Sequence, residues 1–288
     1  MSALSILTVH AHPDDESSKG PGTIRQYADS GIRTTLVCCT GGEAGDILNP
    51  AMDRPEVVEN LKDVRRGELD EAATVIGYDE VVMLGYRDSG MPDTEPNAHP
   101  DAFANADLDE AVGRLVAIIR RVCPQVVVTY PEVQNRYPHP DHLQVTNICL
   151  PAFDRAGDPA WYPEAGEPFV PQKLYAPIWS KKRLLLTHQA FLDRGLESPY
   201  DEKWLSGRDR DDRITAVIEV DNAVRRKALL AHATQVDPKS PFWFGLPDDV
   251  LDAIHPYEEY MLLRSRIDVD PDEIETDLFA GLREGATS

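Results

Sequence analysis

The stretch that most constrains the fold lies at the start of the chain, where a short apolar run leads into a cluster of ionisable residues. Residues 4–9 are apolar and too few for a buried helix, so they are predicted to form a buried strand. His12-Pro13-Asp14-Asp15-Glu16 follows, at the carboxyl end of that strand. In an open α/β sheet, ligands bind at this edge. Because Pro13 fixes the local backbone, an imidazole and two carboxylates project from a stiff turn.

A second cluster of the same kind lies far downstream. Residues 126–130 are predicted to form another buried strand, and Tyr137-Pro138-His139-Pro140-Asp141-His142 follows it. In a parallel sheet the carboxyl ends of strands lie at one edge, so the two loops can meet. Either cluster alone could be a solvated turn that caps the next helix. Two such clusters, each placed after a strand, favour a common site, and imidazole and carboxylate groups are donors that bind Zn²⁺.

Strands and helices alternate along the chain, which predicts an α/β fold with a Rossmann-like, mostly parallel sheet flanked by helices. Residues 1–150 are expected to form the zinc-binding catalytic core. Residues 151–288 are expected to be a smaller C-terminal α/β extension that completes the fold and the substrate pocket in one compact unit. Further strands are predicted at residues 32–39, 80–84, 174–178, 183–187 and 214–220. Helices are predicted at residues 20–30, 55–76, 108–122, 222–232 and 248–263. Loops over the site are predicted at residues 151–171 and 193–212.

The charge of the chain excludes several classes of partner. Its 288 residues include 50 acidic and 29 basic side chains, which gives a formal net charge of -21. Such a field repels nucleic-acid phosphates and anionic membranes, so neither is expected as a partner. No early apolar segment is long enough for a signal peptide or a membrane span, which predicts a cytoplasmic protein. The four cysteines lack a CxxC spacing and are expected to be reduced and buried.

Six motifs together resemble the LmbE/PIG-L family of zinc-dependent N-deacetylases. Besides the two clusters, the motifs are Thr40-Gly41-Gly42-Glu43, Arg65-Arg66-Gly67-Glu68-Leu69, residues 85–91 and His232-Ala233-Thr234-Gln235. The resemblance covers nearly the whole chain, apart from the last twenty or so residues. Within the family, the chain is most similar to the branch of mycothiol S-conjugate amidases. That similarity depends on Ser17-Ser18-Lys19-Gly20, on residues 45–50 and on the overall length.

The resemblance implies a metal site and a base. It assigns one Zn²⁺ per chain to His12, Asp15 and His142, and Fe²⁺ could substitute for zinc. Three protein ligands and an open position for water are typical of a catalytic zinc site. Asp14 would then be the general base that takes a proton from that water. The two adjacent carboxylates therefore have different expected roles.

The resemblance also implies groups that stabilise the transition state and bind substrate. Protonated His139 would donate to the oxyanion, with Asp141 as the carboxylate that orients it. Tyr137 could add a hydroxyl near the substrate, and a packed aromatic residue is an equally good interpretation. The remaining candidates are substrate contacts. Arg66 and Asp88 would bind sugar hydroxyls, and Lys19 would contact the acyl side of the scissile amide.

The activity that the resemblance implies is hydrolysis of the amide in mycothiol S-conjugates. The products would be an N-acetylcysteine S-conjugate, which is a mercapturic acid, and glucosaminyl-inositol, in a thiol-dependent detoxification. Two alternatives stay open: an N-deacetylase of an N-acetylglucosaminyl compound, such as the one in mycothiol biosynthesis, and a relative recruited to natural-product biosynthesis. A non-catalytic, zinc-stabilised sugar-binding module is disfavoured, because a structural zinc site closes with a fourth protein ligand. The expected partner is a small molecule, and the oligomeric state is left open.

Overall fold

The protein is built on one seven-stranded sheet. The computed structural model describes residues 4–134, 138–206 and 211–283, without the side chains of residues 203 and 204. The strands are β1 (Ser5–His10), β2 (Arg33–Thr40), β3 (Glu80–Tyr86), β4 (Val126–Val128), β5 (Lys173–Ile178), β6 (Ala216–Glu219) and β7 (Tyr257–Ser265). Their order is β3-β2-β1-β4-β5-β7-β6. β1 to β5 are parallel, and β7 is antiparallel to both β5 and β6. The predicted α/β class with a mostly parallel sheet is confirmed.

Helices cover the sheet on both faces. Within the described residues they are α1 (Asp15–Ser18), α2 (Pro21–Asp29), α3 (Pro55–Glu59), α4 (Leu61–Ile76), α5 (Glu95–Ala98), α6 (Leu108–Val122), α7 (Pro140–Arg155), α8 (Lys181–Leu192), α9 (Glu202–Leu205), α10 (Asn222–Ala231), α11 (Pro241–Phe244) and α12 (Asp248–Ile254). Short 3₁₀ turns occur at Phe103–Asn105, Pro163–Ala165 and Asp211–Arg213. Among these described helices, none is long and apolar enough to cross a membrane.

The central strands are rich in apolar and β-branched residues because both faces of the sheet are buried. Every residue of β1 is buried. Successive side chains point to opposite faces, so Leu7 and Val9 belong to the core under α6 and α7, whereas Ile6 belongs to the core under α2, α4 and α10. This two-sided burial fixes the strands that carry the two His/Asp loops.

The order of the strands places both loops at one crevice. β1 lies between β2 and β4, and the chain crosses from one side of β1 to the other between β3 and β4. In doubly wound sheets, the crevice beyond the carboxyl ends of the strands at this reversal is where ligands bind. The loop that follows β1 carries His12 and Asp15, and α7, which begins just after β4, carries His142. The two sequence clusters are therefore neighbours in space.

Two predicted elements in the C-terminal half have the wrong type. Residues 183–187, predicted as a strand, lie within α8, where Leu184, Thr187 and Phe191 form a buried stripe at helical spacing. The predicted helix at 248–263 ends at Ile254, and β7 begins after Pro256. Strand pairing with both β5 and β6 decides the conformation of this segment, and that pairing is non-local.

The bounds of two other predicted elements differ from those in the structure. The helix predicted at 55–76 is two helices, α3 and α4, that meet at Asn60. The predicted loop over the site at 151–171 begins inside α7, which continues to Arg155. The segment that follows packs on α6, where the Arg120 guanidinium donates hydrogen bonds to five backbone carbonyl groups between residues 156 and 166. Its side chains do not line the cavity at the crevice, among the residues described.

A buried ion pair attaches the end of the described chain to the sheet. Lys173 on β5 is fully buried, and its ammonium pairs with Glu275 and donates to the carbonyl of Ala280. The hydroxyl of Tyr175 donates to the same Glu275 carboxylate. Leu278 and Phe279 follow and are buried in the core under α2.

Glu275→Gln is expected to lower the free energy of unfolding by about 3–5 kcal/mol, because it leaves the Lys173 ammonium buried without a counter-charge. Denaturant unfolding monitored by circular dichroism measures the change. Glu273→Gln is the control, since Glu273 is exposed two residues away and loses the same charge. Equal stability of the two variants would contradict a structural role for the Lys173–Glu275 pair.

Candidate active site

Three side chains from the two loops converge in a buried group. His12, Asp15 and His142 each offer one possible ligand atom, and all three residues are buried. The Oδ2 atom of Asp15 lies 3.5 Å from His12 Nδ1 and 3.4 Å from His142 Nε2. Tetrahedral coordination with bonds of about 2.0–2.2 Å places neighbouring ligand atoms roughly 3.3–3.6 Å apart. The donor set and its spacing therefore fit a metal ion of the zinc type.

The other nitrogen of His12 is held by a carboxylate. His12 Nε2 lies 3.1 Å from Asp141 Oδ2, and that carboxylate also accepts the backbone N–H and the hydroxyl of Ser89. Histidine ligands commonly donate their second N–H to such a carboxylate, which fixes the tautomer and leaves the first nitrogen for the metal. Ser89, which the sequence analysis did not single out, thus orients Asp141.

Asp141, predicted to orient His139, contacts it through its backbone, whereas its carboxylate contacts His12 and Ser89. The backbone N–H of Asp141 donates to His139 Nδ1 at 3.2 Å, because His139 caps the first turn of α7. Burial and the charge of His12 lower the pKa of His139 to about 4, so its ring is neutral. With Nδ1 accepting a hydrogen bond, the proton of the neutral ring sits on Nε2.

A second group of possible ligands shares His12 with the first. His12, Asp88 and His139 also lie within ligand distance, and His12 Nε2 is 3.5 Å from Asp88 Oδ1. The same Nε2 is nearer to Asp141, and the Asp88 carboxylate accepts the backbone N–H groups of Ala44 and Gly90. These hydrogen bonds already engage the possible ligand atoms of His12 and Asp88 in the second group. The first group therefore fits a metal better.

Burial and close pairing shift the pKa values of the central groups in opposite directions. Burial opposes the charged form of His12, but hydrogen bonds with Asp141, Asp15 and Asp88 raise its pKa well above the usual value. Burial likewise opposes the charged form of Asp15, and Lys19 and His142 lower its pKa well below the usual value. The centre is thus a network of opposite charges that favours an ionised Asp15 carboxylate.

Asp14 stands apart from this network in both conformation and charge. Its backbone φ is 116°, in the left-handed region that non-glycine residues rarely occupy. Its N–H donates to Glu16, whose carboxylate in turn lies 2.6 Å from His232 Nε2. Burial raises the pKa of Asp14, with the Asp15 charge acting in the same direction and Arg65 opposing it. A strained backbone held by several partners is common at functional sites.

Arg65, not Arg66, is the arginine of the site. The Arg65 guanidinium is buried and donates to the carbonyls of Pro13 and Gly42 and to Asp14 Oδ2. Gly42 has φ +68°, and a Cβ there would lie 2.4 Å from the Arg65 guanidinium carbon, so only glycine fits. Arg66 instead pairs with Asp70 at the exposed face of α4, 3.0 Å apart.

Helical periodicity could have distinguished the two arginines. Position 65 precedes the buried Leu69 by four residues and Ala72 by seven, on the predicted buried face of α4. The apolar residues at positions 64, 69, 72, 73 and 76 predict this face, and four of them are buried, whereas Val64 is partly exposed. The rotation of the helix therefore places Arg65 beside Asp14 and leaves Arg66, predicted as a substrate contact, at the exposed face.

Arg65→Met is expected to lower kcat/KM by roughly 10- to 100-fold, because charge-assisted hydrogen bonds to Asp14 and its turn contribute about 1.5–3 kcal/mol. Arg66→Met, the matched control, should change kcat/KM by less than about twofold, as exposed i,i+4 pairs contribute little. Steady-state kinetics with bound metal quantified in parallel makes the comparison. Equal losses in the two variants would contradict this assignment.

The C-terminal motif, residues 232–235, contacts residues next to the active site. His232 contacts Glu16, and the carboxylate of Glu68 accepts both the backbone N–H and the hydroxyl of Thr234. The carbonyl of Thr234 accepts the backbone N–H of Leu48, which anchors the loop after β2. In the sequence these motifs resemble those of the family, but the pattern predicts no role for them. Their pairing with residues far away in sequence gives them one.

The site opens into a cavity of about 380 Å³. Asp14, Asp15, Asp88, His139 and Lys19 line it, with an apolar side formed by Leu48, Met91, Leu229, Val236 and Trp243. The Lys19 ammonium pairs with Asp15 and lies 5.3 Å from the centre of the Tyr130 ring. Tyr137 lies outside the described residues. The cavity thus places a polar centre beside an apolar surface.

Comparisons with known proteins find one family. A family model described as PIG-L, GlcNAc-PI de-N-acetylase, matches residues 7–153. The chain is 41% identical to a mycothiol S-conjugate amidase from Streptomyces coelicolor, over 98% of this chain and 99% of that protein. It is 39% identical to a 1D-myo-inositol 2-acetamido-2-deoxy-alpha-D-glucopyranoside deacetylase from Geodermatophilus obscurus, over 96% of this chain and 97% of that protein.

A similar fold occurs in solved structures. The N,N'-diacetylchitobiose deacetylase from Pyrococcus horikoshii superposes with a TM-score of 0.61 at 18% identity, over 91% of this chain and 84% of that chain. At this identity the likeness establishes the fold alone.

Proposed function

The chain belongs to the PIG-L family, and on this premise we propose that it is a zinc-dependent amidase acting on mycothiol S-conjugates. It would cleave the amide that joins N-acetylcysteine to glucosaminyl-inositol, releasing a mercapturic acid and an amine. The observation that carries the proposal is the 41% identity to a mycothiol S-conjugate amidase along almost the full length of both chains. The family relationship itself gives the reaction type, hydrolysis of an amide C–N bond.

His12, Asp15 and His142 would hold the metal. When bound, zinc lowers the pKa of a water molecule from about 16 to about 7 and polarises the amide carbonyl. Fe²⁺ would use the same nitrogen and oxygen donors. Asp141 keeps the proton of His12 on Nε2, which leaves Nδ1 available as a ligand.

Asp14 would move the proton. Arg65 binds Asp14 Oδ2 at 3.0 Å, and the Asp14 side chain is 31% exposed towards the cavity. In this role the carboxylate takes a proton from the attacking water and delivers it to the nitrogen of the leaving amine, so that the amide bond can break. The N–H of His139 Nε2 would stabilise the oxyanion, and the neutral ring suffices for this.

The substrate would lie between the polar and apolar sides of the cavity. Asp88 and Lys19 line this cavity and are proposed to contact the sugar and the acyl group, respectively. The S-linked group would then face the apolar side that includes Leu48, Met91 and Trp243. A thioether-linked adduct needs such a surface, whereas an acetyl group does not.

The alternative is deacetylation of an N-acetylglucosaminyl-inositol. The 39% identity to the deacetylase from Geodermatophilus obscurus, over nearly the same length, favours it almost as strongly. Both activities use the same metal centre and base. Both also release glucosaminyl-inositol as the amine. They differ in the acyl group, which is an S-conjugated N-acetylcysteinyl group in the amidase reaction and an acetyl group in the deacetylase reaction.

One assay separates the two functions. Zinc-loaded protein is incubated with a fluorescent S-conjugate of mycothiol and, separately, with N-acetylglucosaminyl-inositol, and the products are identified by mass. The proposal expects a kcat/KM at least tenfold higher for the conjugate, with a mercapturic acid as product. Faster release of acetate from the second substrate would establish the alternative. Asp14→Asn protein serves as the inactive control.

A further inference from the structure

A second cavity lies beside the active site, beneath α8, α10 and α11. It measures about 60 Å³ and shares two wall residues, Leu229 and Trp243, with the active-site cavity. Aromatic rings from separate segments surround it: Trp179 stacks on Phe242 with ring centres 5.9 Å apart, and the largely buried Tyr200 meets Phe242 edge-on. The family motifs do not involve this cavity.

An arginine with no counter-ion in the described part of the chain lies in this aromatic cavity. The guanidinium carbon of Arg183 is 4.5 Å from the centre of the Trp179 ring. Its guanidinium forms no hydrogen bond or ion pair with any residue that the structure describes, although its backbone N–H bonds Ser180. Burial and the neighbouring charge of Arg225 lower the pKa of Arg183 to about 9. A partly buried cation with no counter-ion among the described residues is costly, although this chain has 50 acidic residues that could have paired with it.

The nearby carboxylates are committed to other groups. Glu258 pairs with Arg225 at 2.7 Å and accepts the N–H groups at the start of α2. Glu259 accepts the backbone N–H of Ser180 and lies 3.2 Å from His255. In addition, the buried Nε of Arg225 has no hydrogen-bond partner among the described residues. As far as the structure describes the chain, the cavity therefore offers one uncompensated positive charge and spare N–H donors.

We propose that this cavity is a subsite for a carboxylate carried on the S-linked group of the substrate. A planar carboxylate matches the guanidinium fork in two parallel hydrogen bonds, and a single negative charge matches the single unpaired cation. One water molecule occupies about 10–15 Å³ of cavity volume measured in this way, so a cavity of about 60 Å³ holds at least about four waters. That space suits a carboxylate with a short apolar stem. Trp179 and Phe242 would contact that stem.

The shared wall connects the subsite to the reaction. A group that passes Leu229 and Trp243 would lie in both cavities, so an acid on the S-linked part could reach Arg183 while the amide is at the metal centre. This role rests on the proposed amidase function. The carboxylate binding itself does not, and can be measured without turnover.

Binding is tested with benzoate and its neutral isostere benzamide by titration calorimetry on the zinc-loaded enzyme. Benzoate is expected to bind at least tenfold more tightly than benzamide, and Arg183→Met should weaken benzoate binding by roughly 10- to 100-fold. Lys182→Met, which removes the same charge from the exposed neighbouring position, should change it by less than about twofold. Within the described residues the Arg183 guanidinium contacts the Trp179 ring but forms no hydrogen bond or ion pair, so Arg183→Met should change the thermal unfolding temperature little. Arg183→Lys provides a second, charge-conserving variant with intermediate binding.

Turnover then tests the subsite with a pair of S-conjugates that differ only in a distal carboxylate or carboxamide. The acid should have the higher kcat/KM, and Arg183→Met should reduce that preference about tenfold. Benzoate binding that survives Arg183→Met but is lost in His142→Ala would mean coordination at the metal and would overturn the proposal. Normal benzoate binding without an acid preference would overturn the subsite. Failure of the amidase function itself would appear differently, as absence of mercapturic acid from both conjugates.

Discussion

His142→Ala is expected to lose bound metal and activity together while the fold survives. The variant removes one of the three possible ligand atoms, His142 Nε2, which lies 3.4 Å from Asp15 Oδ2. Loss of an outer-shell partner of a ligand already weakens metal binding by about 10–100-fold, so loss of a ligand should weaken it by more than about 100-fold. The histidine lies in the first turn of α7, and the core beneath it is formed by other residues, among them Val145 and Ile148.

Elemental analysis after dialysis, an activity assay and thermal unfolding test this expectation on the same preparation. His99→Ala is the matched control, because His99 lies outside the cavity, next to Asp101 in a solvent-facing segment. It should retain stoichiometric metal and full turnover. His142→Ala protein with stoichiometric metal and normal turnover would exclude His142 as a ligand.

Asp14→Asn is expected to keep the metal and lose most of kcat. General-base catalysis typically contributes 10²–10⁴-fold, and the asparagine amide cannot accept the proton. Asparagine also tolerates the left-handed backbone that this position requires, so the turn should persist. The structure gives Asp14 a hydrogen bond from Arg65, whereas Asp15 is surrounded by Lys19 and the two histidines.

Asp15→Asn is the matched variant, because it makes the same carboxylate-to-amide change at the adjacent residue. Its first effect should be weaker metal binding, seen in a competition titration with a chromogenic chelator, with kcat recovering as metal is added. The reverse order of effects, with metal lost from Asp14→Asn and retained by Asp15→Asn, would exchange the two roles.

The parts of the fold that the sequence predicts well are those set by local pattern. Strands that alternate with helices predict a parallel sheet. Two apolar runs of strand length end in proline-stiffened His/Asp loops, which predicts that both loops lie at the carboxyl edge of that sheet. Strands β1, β2, β3, β4 and β5 and helices α2, α6 and α10 lie close to their predicted positions. The metal and base assignments to His12, Asp14, Asp15 and His142 remain proposals, although the fold brings these residues together.

Residues 183–187 and 257–265 show where local pattern fails. Short apolar runs fit a helix or a strand equally well by periodicity. The choice depends on partners far away in sequence: residues 183–187 bury one stripe of α8, and β7 is held between β5 and β6. No property of the isolated segments contains this information.

The features of the active site also divide into those that local sequence predicts and those that tertiary packing decides. The sequence by itself determined which types of donor lie at the crevice, because strand ends and proline turns are local features. Only the tertiary structure decided that Arg65 rather than Arg66 faces Asp14, and that Asp141 holds His12 rather than His139. These choices depend on the rotation of α4 and on the angle at which α7 meets the loop after β1. Both are set by packing across the whole core, which no short stretch of sequence specifies.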